Sequence, residues 1–481
     1  MASIKDTLLK LALQQQPRLE LFTDQHGMPY ARVPTGKGLE IMPIGKGAFG
    51  DWLGWLLFED NRQTCSDQTL EPALRVLRAK AKFEGPCYHL SNRVAWMEDG
   101  AIYYDMTNEQ WSAIRVTCDG WEVNPVPPIL FRRYSHHMPQ VMPAEIAPQD
   151  AWAVLNNLFK FVNLGGDDNR LLYIVYLVSL LVPDIAHPIP VIHGEQGCGK
   201  TFTLKTTRKL VDPSLVGVLA TPWKPEEFVQ QLDHHWCAFY DNLKKLTEWQ
   251  QDTLCRAVTG EGNTKRQLYT DQDDIVFTYR RCIALNGINV CSKRPDLLDR
   301  SILFELDALN SNRRTESELE TEFEQVRPQL FGALLTMLVG ALNQSKQMAY
   351  QQGKWFRLAD WASWGWRIAE ALDGRGNDFI ACYNNATKTK AETALELHPL
   401  GQVLIAFMKG KDYWEGTPSK LHSELEQTAL LEELDTSDKG WPSNENWLGR
   451  RLREIAPDLS IMGITYTYEK GEERTYRLFK Q

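Results

Sequence analysis

The stretch Val191-Ile192-His193-Gly194-Glu195-Gln196-Gly197-Cys198-Gly199-Lys200-Thr201 constrains this chain more than any other. It fits the pattern G-x-x-x-x-G-K-[ST] and two apolar residues lead into it. Glycines at 194, 197 and 199 permit positive φ and close backbone approach, so successive N–H groups of this loop can wrap a polyphosphate. Lys200 then reaches the β and γ phosphates and the Thr201 hydroxyl binds Mg²⁺, which makes ATP and Mg²⁺ the expected ligands. The residues that follow, Phe202 to Leu210, suit a helix whose N-terminal amides complete the anion site. A chance Gly-rich turn would not explain the apolar lead-in and the helix-capable follow-on. The chain around the loop is therefore expected to be α/β.

Composition sets wide bounds on the rest. At 481 residues the chain has room for about three domains of ~150 residues each. Its 43% hydrophobic and 24% charged content is ordinary for a soluble globular protein. With 53 basic and 62 acidic residues the net charge is −9, so contact with DNA must come from local basic patches. The nine cysteines are scattered, with no C-x-x-C pair and no zinc spacing, which fits a reducing cytoplasm. The start, Met1-Ala2-Ser3-Ile4-Lys5-Asp6, lacks a basic n-region followed by an apolar h-region, so export is not expected. The longest largely apolar run, Leu171 to Val182, falls short of the ~20 residues a membrane span needs; it reads as a buried helix, and no membrane partner is expected.

Residues 1–145 read as an α+β domain of their own, with an unassigned role. Residues 68–82 have helical apolar spacing, and Arg93–Met97 with Ala101–Asp105 reads as a hairpin turning at Asp99-Gly100. Ile114–Thr117 and Trp121–Val123 repeat the design around Asp119-Gly120. Gly45-Lys46-Gly47-Ala48-Phe49-Gly50 matches G-x-G-x-x-G, but without a strand-like run before it we read a loop. Prolines from 125 to 148 mark a linker, and residues 149–182 give two apolar helical segments split by 163–168.

Beyond the loop, His235-Trp236-Cys237-Ala238-Phe239-Tyr240-Asp241-Asn242 is an apolar strand leaving its core at Asp241, where an acid would hold Mg²⁺ or its water. Asn242 stands where many such ATPases carry the glutamate that polarises water. After a helical segment, Leu246 to Thr259, comes a hairpin with Lys265 and Arg266 near its tip, returning along Ile275–Thr278. Arg281–Asn286 is a third apolar strand, and Asn286 could bond the attacking water or the γ-phosphate. Lys293-Arg294-Pro295-Asp296-Leu297-Leu298-Asp299-Arg300-Ser301 then precedes a fourth strand, Ile302–Leu306. Arg300 could instead form an ion pair with Asp296 or Asp299.

This order resembles the AAA+ helicases of superfamily three, the minichromosome-maintenance proteins and, more closely, helicase-like ATPases of phages and mobile genetic elements. Asp241-Asn242-Leu243, Thr259-Gly260-Glu261-Gly262, Leu268-Tyr269-Thr270-Asp271, Leu285-Asn286-Gly287-Ile288 and Asp296-Leu297-Leu298-Asp299-Arg300 carry the resemblance, over about residues 150–345. It implies an AAA+ P-loop core at 146–345, a homo-oligomeric ring, taken as a hexamer, and ATP shared between neighbouring subunits. It further implies Asn286 as the sensor asparagine, Arg300 as the arginine finger with Arg294 as runner-up, and Lys265 and Arg266 as contacts to single-stranded DNA. Asn242 in place of glutamate leaves the water-activating residue open among Asp241, Glu195 and Glu261.

Residues 346–397 read as a helical lid or linker, with Arg357 either sensing nucleotide or forming a salt bridge. Residues 398–481 read as a winged helix: helices from Val403, Thr417 and Ser443, then an alternating hairpin, Thr465–Tyr468 with Arg474–Leu478. Arg450, Arg451 and Arg453 on the third helix would face duplex DNA, the alternative being a protein contact, since acidic residues outnumber basic ones in this region. Two functions remain: a DNA-stimulated ATPase acting as replicative helicase or initiator of a mobile element, or an AAA+ regulatory or defence ATPase acting on a protein partner.

Overall fold

The structure, a computed structural model, describes residues 3–36, 38–243, 245–260, 263–266, 274–277, 280–287, 295–308, 314–344, 356–437, 440–470 and 474–480. Its centre is a four-stranded sheet ordered Cys237–Tyr240, Cys282–Asn286, Ile189–His193, Ser301–Glu305, with every pairing parallel. A single parallel bridge from Leu219 to Tyr240 extends the outer edge. These strands are short, continuous apolar runs because both faces are covered. Alternate residues divide between two cores. Cys237, Phe239, Cys282 and Ala284 pack with the helices Asp167–Ser179, Lys200–Val211 and Glu316–Asn343, while Ala238, Tyr240, Ile283 and Leu285 pack with Pro225–His234 and Glu248–Thr259.

Local chemistry sets the helix ends. Thr315 caps the helix Glu316–Asn343 by accepting from Glu318 N–H, while the Glu318 carboxylate accepts from Thr315 N–H in return. Gly260 ends the helix Glu248–Thr259 in the left-handed region, at φ 85°.

The N-terminal segment holds two larger sheets and a short parallel pair, Leu90–Ser91 with Leu130–Phe131. Glu20–Thr23, Pro29–Thr35 and Gly38–Pro43 form an antiparallel sheet that shares a core with the helices Ile4–Leu13, Ala48–Asn61 and Asp67–Phe83. A strand therefore does precede Gly45–Gly50, and the motif's last residues open the helix Ala48–Asn61. The strand is part of an antiparallel meander, so the motif lacks the βαβ setting that dinucleotide binding requires. The second sheet, Val94–Trp96, Ile102–Asp105, Ala113–Val116, Trp121–Asn124, is antiparallel in chain order. Its inner side chains Ile102, Tyr104, Ile114 and Val116 lie in the same core as Leu155, Leu172 and Phe331. Apolar packing thus runs across the proline-rich linker.

From Leu395 onward a separate core gathers the helices Pro399–Phe407, Pro418–Leu431 and Glu445–Ile461 with the paired strands Ile464–Lys470 and Arg474–Lys480. Thr417 and Asn444 cap the second and third helices. A further strand, Tyr413–Gly416, pairs with Arg474–Lys480 on its other side and has no counterpart in the sequence reading. No helix among the described residues is long and apolar enough to cross a membrane.

Candidate active site

Residues 194–199 form a loop between the strand Ile189–His193 and the helix Lys200–Val211, at the carboxyl edge of the parallel sheet. Ligands of open parallel sheets gather at that edge. Gly197 and Gly199 sit at φ 84° and 94°, the left-handed region that glycine adopts without strain. At Gly194 a Cβ would come within 2.9 Å of the Leu306 carbonyl oxygen, so this turn has no room for a side chain. The Lys200 Nζ folds back over the loop and donates to the carbonyl oxygens of Gly194 at 2.9 Å and Glu195 at 2.7 Å. Cys198 turns inward and is buried, whereas Glu195 and Gln196 are exposed.

Three strand ends converge here. Thr201 Oγ1 donates to Asp241 Oδ1 at 3.0 Å. Asn242, held at φ 56°, donates its N–H to Asn286 Oδ1 at 2.7 Å. Ile192 is in register with Asn286. Asn286 is 1% exposed, and its Nδ2 is buried without a hydrogen-bond partner among the described residues. A buried orphan donor is costly, and at an active site it calls for a reason. An acceptor from a bound ligand would satisfy it. Thr201 and Asp241 are the oxygen donors Mg²⁺ takes, and the loop's glycines suit a polyphosphate, so the residues present fit ATP and Mg²⁺.

The helix Lys200–Val211 is also tied down at its far end. Asp212, its C-cap, is fully buried; one carboxylate oxygen accepts from Arg93 Nε at 2.7 Å and the other from Cys237 N–H at 3.0 Å. Burial alone would raise the Asp212 carboxyl, but Arg93 and Arg208 more than offset it and hold it well below the usual carboxylate range. Arg93 also donates to the carbonyl oxygens of Pro213 and Asp105. Sequence reasoning missed this network, whose partners lie 119 residues apart.

Beside it the His136 and His235 rings lie with centroids 3.9 Å apart, tilted by 41°, and His137 meets His136 edge-on at 4.6 Å. Burial, helped by the nearby Arg208 and Arg93, pushes these imidazoles down to about 4 for His136, about 3 for His137 and about 2 for His235. They are neutral when folded, whereas an unfolded histidine takes up a proton near ~6.5. Their contribution to stability is present above ~6.5 and is lost as pH falls toward the folded values. The melting temperature should therefore drop between pH 7 and pH 5, where most carboxylates stay ionised; a flat profile over that window would contradict the neutral buried state.

Arg300 is 8% exposed and pairs with the Asp296 carboxylate and carbonyl. The ion-pair alternative is what the structure contains. Arg357 reinforces it, reaching Asp296 at 3.6 Å and Asp299 at 3.5 Å. Arg294 and Glu261 lie outside the described residues. Lys265 and Arg266 lie on Asn263–Arg266, paired antiparallel with Asp274–Phe277, so that Lys265 opposes Ile275 and Arg266 opposes Asp274. Residues 267–273 between the two strands are outside the described residues. On the C-terminal helix Arg450 and Arg451 both pair with Glu454, at 3.4 and 2.7 Å, while Arg453 turns toward the hairpin.

Residues 155–384 match the family of the actinomycete integrative conjugative element replication protein, and residues 400–481 match the RepA C-terminal domain of the same elements. No curated protein matches the chain. Among solved structures, the A form apo structure of the NrS-1 C-terminal region (305–718) is 13% identical, covers 98% of this chain and 98% of its own, and has a TM-score of 0.41. A second apo structure of that region is 13% identical, covers 99% of this chain and 98% of its own, and also scores 0.41. No property is carried from either to this chain. The two matches together span well over half of the 481 residues; the chain is similar to the replication proteins of actinomycete integrative conjugative elements and is a replication protein of a mobile element.

Proposed function

We propose that this replication protein is an AAA+ ATPase that hydrolyses ATP with Mg²⁺ and uses the energy to move along single-stranded DNA as a ring-forming helicase or initiator. The observation that carries the reading is the meeting of Thr201 Oγ1 and Asp241 Oδ1 at 3.0 Å beside a left-handed glycine loop. Phosphoryl transfer needs positioning and charge compensation more than covalent help. Lys200 would exchange its carbonyl partners for phosphate oxygens, Thr201 and Asp241 would hold the cation, and Asn286 Nδ2 would donate to the terminal phosphate or the attacking water. Bound Mg²⁺ would neutralise charge that develops on the phosphate oxygens. A finger shared between subunits requires an arginine that faces the neighbouring chain: Arg300 would have to leave Asp296 to serve, and Arg294 is the runner-up. The C-terminal arrangement of three helices and a hairpin supports a winged-helix reading.

Phosphate release measured with and without single-stranded DNA tests the proposal. Stimulation by DNA and unwinding of a forked duplex are expected; hydrolysis indifferent to DNA would favour the regulatory ATPase acting on a protein. Lys265→Ala with Arg266→Ala should leave basal hydrolysis within about twofold and remove most of the DNA stimulation, because these side chains would meet only the strand's phosphates. An equal loss of basal hydrolysis would remove the hairpin from that role.

A further inference from the structure

The C-terminal unit contains a recess of about 580 Å³ between the helix Glu445–Ile461 and the strands Ile464–Lys470 and Arg474–Lys480. Tyr466, Tyr468 and Tyr476 line it. Tyr466 and Tyr468 are two apart on one strand and so share its face, and Tyr468 is in direct register with Tyr476. The Tyr476 ring lies 5.0 Å from Tyr468 and 6.0 Å from Tyr466. Gly449 makes room for this arrangement, since a Cβ there would come within 2.5 Å of the Tyr476 hydroxyl. Tyr476 is 6% exposed and forms the floor, whereas Tyr468 is 38% exposed and forms an open wall.

Two arginines, Arg453 and Arg474, line the same recess. Neither has a carboxylate partner among the described residues, and Arg453 Nε donates only to the Gly449 carbonyl of its own helix, at 3.1 Å. Their neighbours differ. Arg450 and Arg451 are paired with Glu454, and Arg477 with Glu415 and Glu469. Glu445, the carboxylate in the lining, accepts a hydrogen bond from Ser419. Open aromatic faces beside uncommitted guanidinium groups are what an unpaired base and its phosphate need, and stacking accepts any base because every base has a π face.

We propose that this recess binds an unpaired nucleotide of a DNA single strand, its base against Tyr468 and its phosphate on Arg453 and Arg474. The site is separate from the phosphate loop and from the Lys265–Arg266 hairpin. Paired bases cannot enter it, because their faces are covered by their neighbours in the stack.

Fluorescence anisotropy of a labelled oligo-dT with the full chain carrying Lys265→Ala and Arg266→Ala tests this site free of the hairpin. Tyr468→Ala and Arg474→Ala should each weaken binding about tenfold, within the range known for base stacking. Tyr468→Phe should keep most of it. A 5-iododeoxyuridine oligonucleotide should photo-crosslink to the segment 464–470 or 474–480. Unchanged affinity in both alanine variants, crosslinks confined to other segments, or equal binding of a blunt duplex would each overturn the proposal. Binding of free dTMP in preference to the oligonucleotide would also overturn it, by making the recess a mononucleotide site. The assay contains no ATP, so its outcome is independent of the ATPase reading.

Discussion

Replacing Lys200 by Ala is expected to lower the rate of ATP hydrolysis by ~10³-fold or more while the protein still folds. Losing one preorganised charge donor at a reacting oxyanion costs on the order of 10²–10³, and phosphoryl transfer leans on such donors more than most reactions. The fold should survive because Lys200 Nζ is bonded only to carbonyls of its own loop, at Gly194 and Glu195, besides a contact to Cys198 Sγ at 3.7 Å. Glu195 is exposed, so water can replace the lysine there. The measurement is phosphate release at saturating ATP and Mg²⁺, alongside a thermal melt. A variant that melts like the parent and hydrolyses within tenfold of it would remove the phosphate-loop assignment.

Arg93→Ala should cost ~3–5 kcal/mol of stability, because it breaks a fully buried ion pair and strands one partner. Arg93 is 1% exposed and Asp212 is 0% exposed. Without Arg93, Asp212 would keep Arg208 at 3.9 Å and the Cys237 N–H, too little to compensate a charge out of water. The Pro213 and Asp105 carbonyls would lose a donor as well. A fall in melting temperature on the order of 10 °C follows for a domain of this size. The sign in acid follows from the same pair. Because the folded Asp212 carboxyl is held below its unfolded value, its stabilising contribution is present above ~4 and is lost as pH falls below that. In Arg93→Ala the acid limb should flatten. A melt within about 2 °C of the parent, or an unchanged acid limb, would falsify the account of this pair.

What could be read ahead of the structure followed from range along the chain. The loop at 194–201 and its helix are encoded within one continuous stretch, 194–211, by glycine placement and helix-forming composition. The strands ending at Asp241 and Asn286 were legible because parallel strands covered on both faces are unbroken apolar runs. Their convergence on Thr201 followed once the strands were seen as neighbours. Besides the strand Tyr413–Gly416, three features were not legible. The Arg93–Asp212 pair joins two elements with no local pattern in common. The strand Gly38–Pro43 is half-exposed at a sheet edge and carries no strong alternation. The prolines from 125 to 148 look like a divider, yet Val141 and Ile146 pack against the same core as the phosphate-loop helix. Arg300 shows the limit from the other side: a position before a strand says where a side chain starts, and only the Asp296 four residues earlier decides where it goes.

The two fastenings of the helix Lys200–Val211 are unequal, and that would give any tilt of the helix a fulcrum. Thr201 and Asp241 join through groups that a bound cation would claim, so this end would be remade with each turnover of the proposed ATPase. The Asp212 end is sealed from water and locked by Arg93. The helix between them has 12 residues, a lever of ~18 Å. A tilt of about 3° about the sealed end would carry the loop by about 1 Å, enough to make or break the contacts of a γ-phosphate. The sheet beside Arg93 would stay still while the nucleotide end swings.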